Sequence, residues 1–105
     1  MEVSLSVIED FTGIDREDIL SRRHYRKFVQ ARQLLCYTLK EQGFKLVEIG
    51  RRINRDNSTV MHALQIAQDM VFRGEITERQ LYSLPRRAKE ILRNQKQRET
   101  QCHIM

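Results

Sequence analysis

Arg55-Asp56-Asn57-Ser58-Thr59 sets five hydrogen-bonding side chains in succession, directly after Asn54 and shortly after Glu48-Ile49-Gly50. Asparagine tolerates positive φ better than most residues, so Asn54 is expected to make a tight turn from which the run opens a helix. The chemistry on offer is recognition, not bond making. Asparagine can bond an adenine edge through two atoms, serine and threonine can bond several base edges, and threonine or methionine can meet a thymine methyl. Asp56 can accept from a cytosine amino group or cap the helix, and the two roles are compatible. Val60, Ala63, Leu64, Ala67 and Val71 recur at helical spacing and define an inner face. The opposite face then carries Asn57, Ser58, Met61, His62 and Gln65. Short polar groups at a helix N-terminus behind a tight turn are where a helix-turn-helix presents its contacts to the major groove.

The charge pattern agrees. The chain of 105 residues has a net charge of +5. Eleven Lys/Arg against four acids fall within residues 16–55, just before the run, whereas residues 1–15 carry only acids. Arg22, Arg23, His24, Arg26 and Lys27 form a cluster, with Arg32 one to two turns later. Such a cluster can reach phosphates or a minor groove beside a recognition helix. Arg51 and Arg52 flank the turn and could clamp the backbone. Any one of these cations, taken singly, also reads as solvated surface. The partner expected is double-stranded DNA.

Other classes find little support. No apolar run is long enough to span a bilayer, and the N-terminus Met-Glu-Val-Ser is acidic, so no membrane partner or secretion signal is expected. Cys36 and Cys102 make no disulfide framework and read as free thiols in a reducing cytoplasm. His24, His62 and His103 have no partner at catalytic spacing, and Cys102-His103 is a lone pair near the C-terminus. No catalytic residue, metal site or cofactor is expected, and no G-x-x-x-x-G-K-[ST] loop is present to hold ATP phosphates.

The positioning elements all read as helix, and the fold class expected is an all-α bundle. A first helix over Val3–Phe11 ends near Gly13. Asp15 is expected to cap a second through Leu20. A long helix from about Arg23 to Gln42 buries Phe28, Ala31, Leu35 and Leu39, widened by Leu34, Tyr37 and Thr38. Leu46, Ile49 and Ile53 face inward from a short helix over Lys45–Ile53, and the next helix covers Asn57–Phe72. Thr77 is a candidate N-cap for a last helix, with an interruption expected near Pro85 and a polar, fraying tail over Ile91–Met105. Leu81, Leu84, Ala88, Ile91 and Leu92 form a stripe that suits packing on the chain's own domain or a homodimer interface.

Together these residues resemble the C-terminal DNA-binding domain of the bacterial replication initiator DnaA, a Trp repressor-like helix-turn-helix. The resemblance covers residues 3–70. It rests on Ser21-Arg22-Arg23 with Arg26, Ala31-Arg32-Gln33, Glu48-Ile49-Gly50, Arg55-Asp56-Asn57-Ser58-Thr59-Val60 and His62-Ala63. It implies base or phosphate contacts from Arg55, Asp56, Asn57, Ser58 and Thr59 in the major groove. It also implies a basic loop in the adjacent minor groove, an Arg32-Gln33 pair on the long helix, and a nonameric duplex target, the DnaA box. Three departures stand out. Four residues separate Gly50 from Arg55 where the family has five, with Asn54 in place of a Gly-Gly. Asn57 replaces a histidine. His24 aligns with an arginine used in the minor groove, and a shorter, mostly neutral side chain should bind there more weakly.

The expected organisation is a DNA-binding domain over residues 1–74 and a C-terminal helical extension over 75–105. The expected function is sequence-specific binding of a DnaA box-like site in replication initiation or its regulation, without ATPase activity, at the bacterial nucleoid. The chain is expected to be either a fragment of a longer initiator or, as the initiating Met and the extension suggest, a small free-standing protein. The alternatives are a protein-interaction adaptor and a mobile-element transcriptional regulator that reuse the fold.

Overall fold

In a computed structural model the backbone is described over residues 1–104 and the side chains over residues 1–95. The elements are α1 (Glu2–Thr12), α2 (Arg16–Ile19), α3 (Arg26–Glu41), α4 (Leu46–Ile53), α5 (Asn57–Phe72) and α6 (Glu78–Ile104). Every element the described residues form is a helix, and the chain is the all-α bundle its periodicity predicts.

α3 is the axis, packing against all five other helices. Residues Leu34 to Leu39 are buried without a break, so this helix is enclosed on nearly every side instead of along one stripe. Thr38 accommodates that enclosure by donating its hydroxyl to the Leu34 carbonyl at 2.9 Å. The core is completed by Leu5 and Ile8 of α1, Ile49 and Ile53 of α4, and Val60, Ala63, Ala67 and Met70 of α5, with Leu81, Leu84 and Ala88 from α6.

Several boundaries differ from those the sequence suggests. α3 begins at Arg26, not Arg23, because Ser21–Tyr25 is held as an irregular loop by bonds described below. Asp15 occupies the N-cap of α2 but makes no side-chain cap bond. Glu9 does that work from α1, accepting from the Arg16 backbone N–H at 2.9 Å and from its guanidinium at 2.7 and 3.0 Å. In α5 the inner stripe passes through Met70, while Leu64 and Val71 are only half-buried. α6 runs through Pro85 without a break. Proline costs one internal hydrogen bond there, and burial of Leu81, Leu84 and Ala88 on either side offsets the loss. The Thr77 cap forms as expected: the Gln80 amide donates to the Thr77 hydroxyl at 3.1 Å, and the Thr77 amide donates to the Gln80 side chain at 3.0 Å.

The α4–α5 turn closes through Asn54, which takes φ 57°. The Arg55 amide donates to the Gly50 carbonyl at 2.8 Å and the Asn54 amide to Arg51 at 3.4 Å, the Schellman pattern for ending a helix. Gly50 makes this closure sterically feasible. A Cβ there would lie 2.5 Å from the Arg55 carbonyl oxygen, a backbone atom that cannot step aside. Gly50→Ala should therefore destabilise the fold by about 2 kcal/mol through overpacking, a fall in melting temperature of roughly 10 °C. Asn54→Gly should leave it near wild type. Thermal melts followed by circular dichroism check both, and an unchanged Gly50→Ala melt would overturn the turn geometry.

Candidate nucleic-acid interface

The outer face of α5 is composed as the periodicity predicts. Asn57, Ser58, Thr59, His62 and Gln65 are exposed, and Met61 is 59% exposed. Asp56 is the N-cap, accepting from the Thr59 amide at 2.9 Å. That bond to a backbone N–H holds its carboxyl below the usual carboxylate range. The capping role is therefore filled, with the rest of the carboxylate open to solvent.

The basic loop lies alongside this helix. Arg22, Arg23, His24 and Tyr25 are exposed between α2 and α3, with Arg26 and Lys27 exposed in the first turn of α3. Arg32 sets their position. It is buried, 7% exposed, and its guanidinium donates to the carbonyls of Ser21, of Arg23 at 2.7 Å and of Ile19 at 3.3 Å. Arg32 therefore lies beneath the loop, and the surface phosphate contact expected of it has no support: its donors already hold three carbonyls. Burial, and next the neighbouring Arg55 cation, lower its pKa.

Arg55 is half-buried and folds back towards the same loop. It donates to the Asn54 carbonyl at 3.0 Å and to the Ser21 carbonyl at 3.4 Å. Two guanidiniums thus converge on Ser21, which ties the loop to the first residue before the α5 cap. Between α3 and α5 lies a cleft of about 160 Å³ lined by Arg32, Gln33, Arg55, Thr59 and His62 among others. Gln33 sits half-buried there, in the cleft it shares with Thr59 and His62 of α5. Cys36 lines the same cleft as a free buried thiol, its pKa pushed up to about 12 by burial. Cys102 and His103 lie outside the residues whose side chains are described.

Arg26 behaves differently from its neighbours. It pairs with Glu75 at 2.7 Å, across the chain from the α5–α6 connection. His24, Arg26, Gln33, Arg73 and Glu75 border one hollow, so the loop follows α5 from its N-terminus towards its C-terminus. Arg52 is likewise engaged, with Glu2 at 2.7 Å, and that ion pair holds the Glu2 carboxyl below its ordinary range. Arg51 is exposed and makes no ion pair among the described residues. The sequence reading passed over Tyr25, 65% exposed and edge-on to Phe28 at 5.4 Å between ring centres. An aromatic inside a run of cations was the available signal.

An all-helical bundle with a short helix, a tight turn and a second helix whose polar N-terminal face is open defines a helix-turn-helix protein of the DNA-binding type. Residues 2–66 match the family model described as bacterial dnaA protein helix-turn-helix. The chain is 36% identical over 76 residues to the chromosomal replication initiator protein DnaA of Bartonella quintana, covering 70% of this chain and 15% of that protein. It is 40% identical over 61 residues to the DnaA of Brucella abortus, covering 56% and 12%. Against the DnaA of Thermoanaerobacter sp. it is 27% identical over 93 residues, covering 84% and 21%. The chain belongs to the DnaA helix-turn-helix family, a DNA-binding domain family of replication initiation, and spans about a fifth or less of the length of these relatives.

Two outcomes follow from the buried arginine and the cap. Arg32→Met should cost about 3 kcal/mol by leaving carbonyls without donors. It should also raise amide exchange selectively in residues 21–25, and Arg32→Lys should not restore protection, since a single ammonium cannot span three acceptors. Exchange confined to other segments would refute the loop-pinning role. The folded-state pKa of Asp56 is lowered, so its cap contributes fully above the unfolded value and is lost as pH falls through the folded one. Asp56→Asn should therefore flatten the acid limb of stability against pH, and an acid limb as steep as wild type would contradict it.

Proposed function

We propose that the chain binds double-stranded DNA sequence-specifically, with α5 in the major groove and the Ser21–Tyr25 loop in the neighbouring minor groove. The observation that carries this reading is the shared face. The exposed residues Asn57, Ser58, Met61 and His62 lie beside a loop bearing Arg22, Arg23 and His24, and Arg32 and Arg55 fix the two together. Asn57, Ser58 and Thr59 supply base contacts, with Asp56 orienting the first turn. Arg22, Arg23, His24 and Lys27 supply phosphate or minor-groove contacts. Arg55 is the residue whose hydrogen bonds must be exchanged on binding, since its present acceptors are backbone carbonyls at 3.0 to 3.4 Å.

The target is a DnaA box-like site, and the role lies in replication initiation or its regulation at the bacterial nucleoid, without ATP hydrolysis by these residues. The match of residues 2–66 to the dnaA helix-turn-helix supports this over an adaptor or an unrelated transcriptional regulator. Selection of bound sequences from a random duplex pool tests it. One preferred site should emerge, and Arg55→Ala should cost roughly 1–3 kcal/mol on that site while affinity for random duplex stays closer to wild type. Asn57→His should shift the preferred base at one position. A pool that returns no enriched sequence would sink the specificity claim.

A further inference from the structure

α6 carries a second cationic surface that the recognition face does not use. Leu81, Leu84 and Ala88 fix which side of α6 faces the core. Opposite them run Arg79, Tyr82, Arg86, Lys89 and Arg93, all exposed, with the three arginines recurring every seven residues. At 3.6 residues per turn they form one ridge along the outer side of the helix, about 21 Å from end to end. Glu90 is the only acid between residues 79 and 95. Arg79, Arg86, Lys89 and Arg93 make no ion pair with any described residue. Arg87 sits off the ridge and is bound to Asp10.

This ridge joins the α5 face. Met61, Gln65, Gln68 and Phe72 share one side of α5, and Phe72, 91% exposed, shares a hollow with Tyr82 of α6. The outer side of α5 therefore meets the first turns of α6 at this hollow, which Glu78 also lines.

We propose that the α6 ridge is a second DNA site that grips the phosphate backbone of duplex without reading sequence. Four cations with no ion pair to a described residue, set one to two turns apart, lie along a line of phosphates, which repeat about every 3.4 Å of axis along one strand, so the ridge spans roughly six. A lipid surface is the poorer partner. The apolar side of α6 is spent on the core through Ala88, and among the described residues only Ile91 and Leu92, 38% and 41% exposed, remain beyond it. The ridge faces the other way and presents no apolar residue except Tyr82 among its cations. The inference needs only the charge of the backbone, not the base contacts of α5.

The test is a salt titration of the full chain on a 30-base-pair duplex of random sequence, comparing wild type with R79Q/R86Q/K89Q/R93Q. Each phosphate contact contributes about 0.9 to the slope of log affinity against log salt, so the slope should become shallower by about 3.6. Affinity at low salt should fall at least tenfold. The same variant should keep the wild-type ranking of selected over random sequence, whereas Arg55→Ala should lose the ranking and keep most of the slope. The two sites thus fail separately. If the quadruple variant loses its helical circular dichroism, R93E alone, beyond the last buried residue of α6, should still reduce the slope by about 1. An unchanged slope overturns the proposal. So does a variant that binds duplex as wild type but no longer binds vesicles of phosphatidylserine and phosphatidylcholine that wild type binds.

Discussion

A buried guanidinium must find acceptors, and Arg32 finds three of them, one at the end of α2 and two in the short loop that follows. Much of the interface depends on that requirement. The loop cannot become an extra turn of α3, because a helical backbone would turn its carbonyls along the axis and away from Arg32. Left irregular, Ser21–Tyr25 exposes Arg22, Arg23, His24 and Tyr25 while the Ser21 and Arg23 carbonyls face Arg32. The cation inside thus holds cations outside at a spacing their own repulsion would not choose. Arg55 extends the same logic by sharing the Ser21 carbonyl, which couples the loop to the start of α5.

The remaining polar contacts set the frame around that centre. Glu2 bridges Arg16 and Arg52, joining α1 to α2 and to α4. Glu75 takes Arg26 from the far end of the basic cluster. These pairs are largely solvated, and each contributes little to stability. Their effect is on which cations remain available. Arg26 and Arg52 are engaged by acids, whereas Arg22, Arg23, Lys27 and Arg51 are exposed and make no ion pair with a described residue. The cations left without an ion pair to a described residue therefore lie in the loop, in the first turn of α3 and near the end of α4.

Much of this was legible in the sequence. The five-residue run after Asn54 located α5 to the residue, since a cap, a tight turn and a helical apolar stripe coincide there. The stripe on α6 read correctly through Ala88, where it packs on the chain's own core. Arg32 did not read correctly. A cation in a basic cluster looks like surface, and only the tertiary fold brings three carbonyls from thirteen to nine residues upstream onto it. Asp15 failed for a related reason: as a local N-cap it has the right chemistry, but Glu9 arrives from the preceding helix with a bidentate arginine contact that also satisfies the backbone. Pro85 was read by local rule as an interruption, and burial on both sides overrode that rule.

The turn between α4 and α5 closes by local means. Asn54 reaches positive φ by itself, and the Gly50 carbonyl is met by Arg55 at 2.8 Å, so four residues suffice to close α4 and open α5. Tight approach at Gly50 then leaves little freedom in the angle between the two helices. With the scaffold so constrained, Asn57 and His24 are exposed side chains with no hydrogen bond from their own side-chain atoms to a described residue. Under the proposed reading, selectivity is concentrated in such residues because no structural duty restrains them.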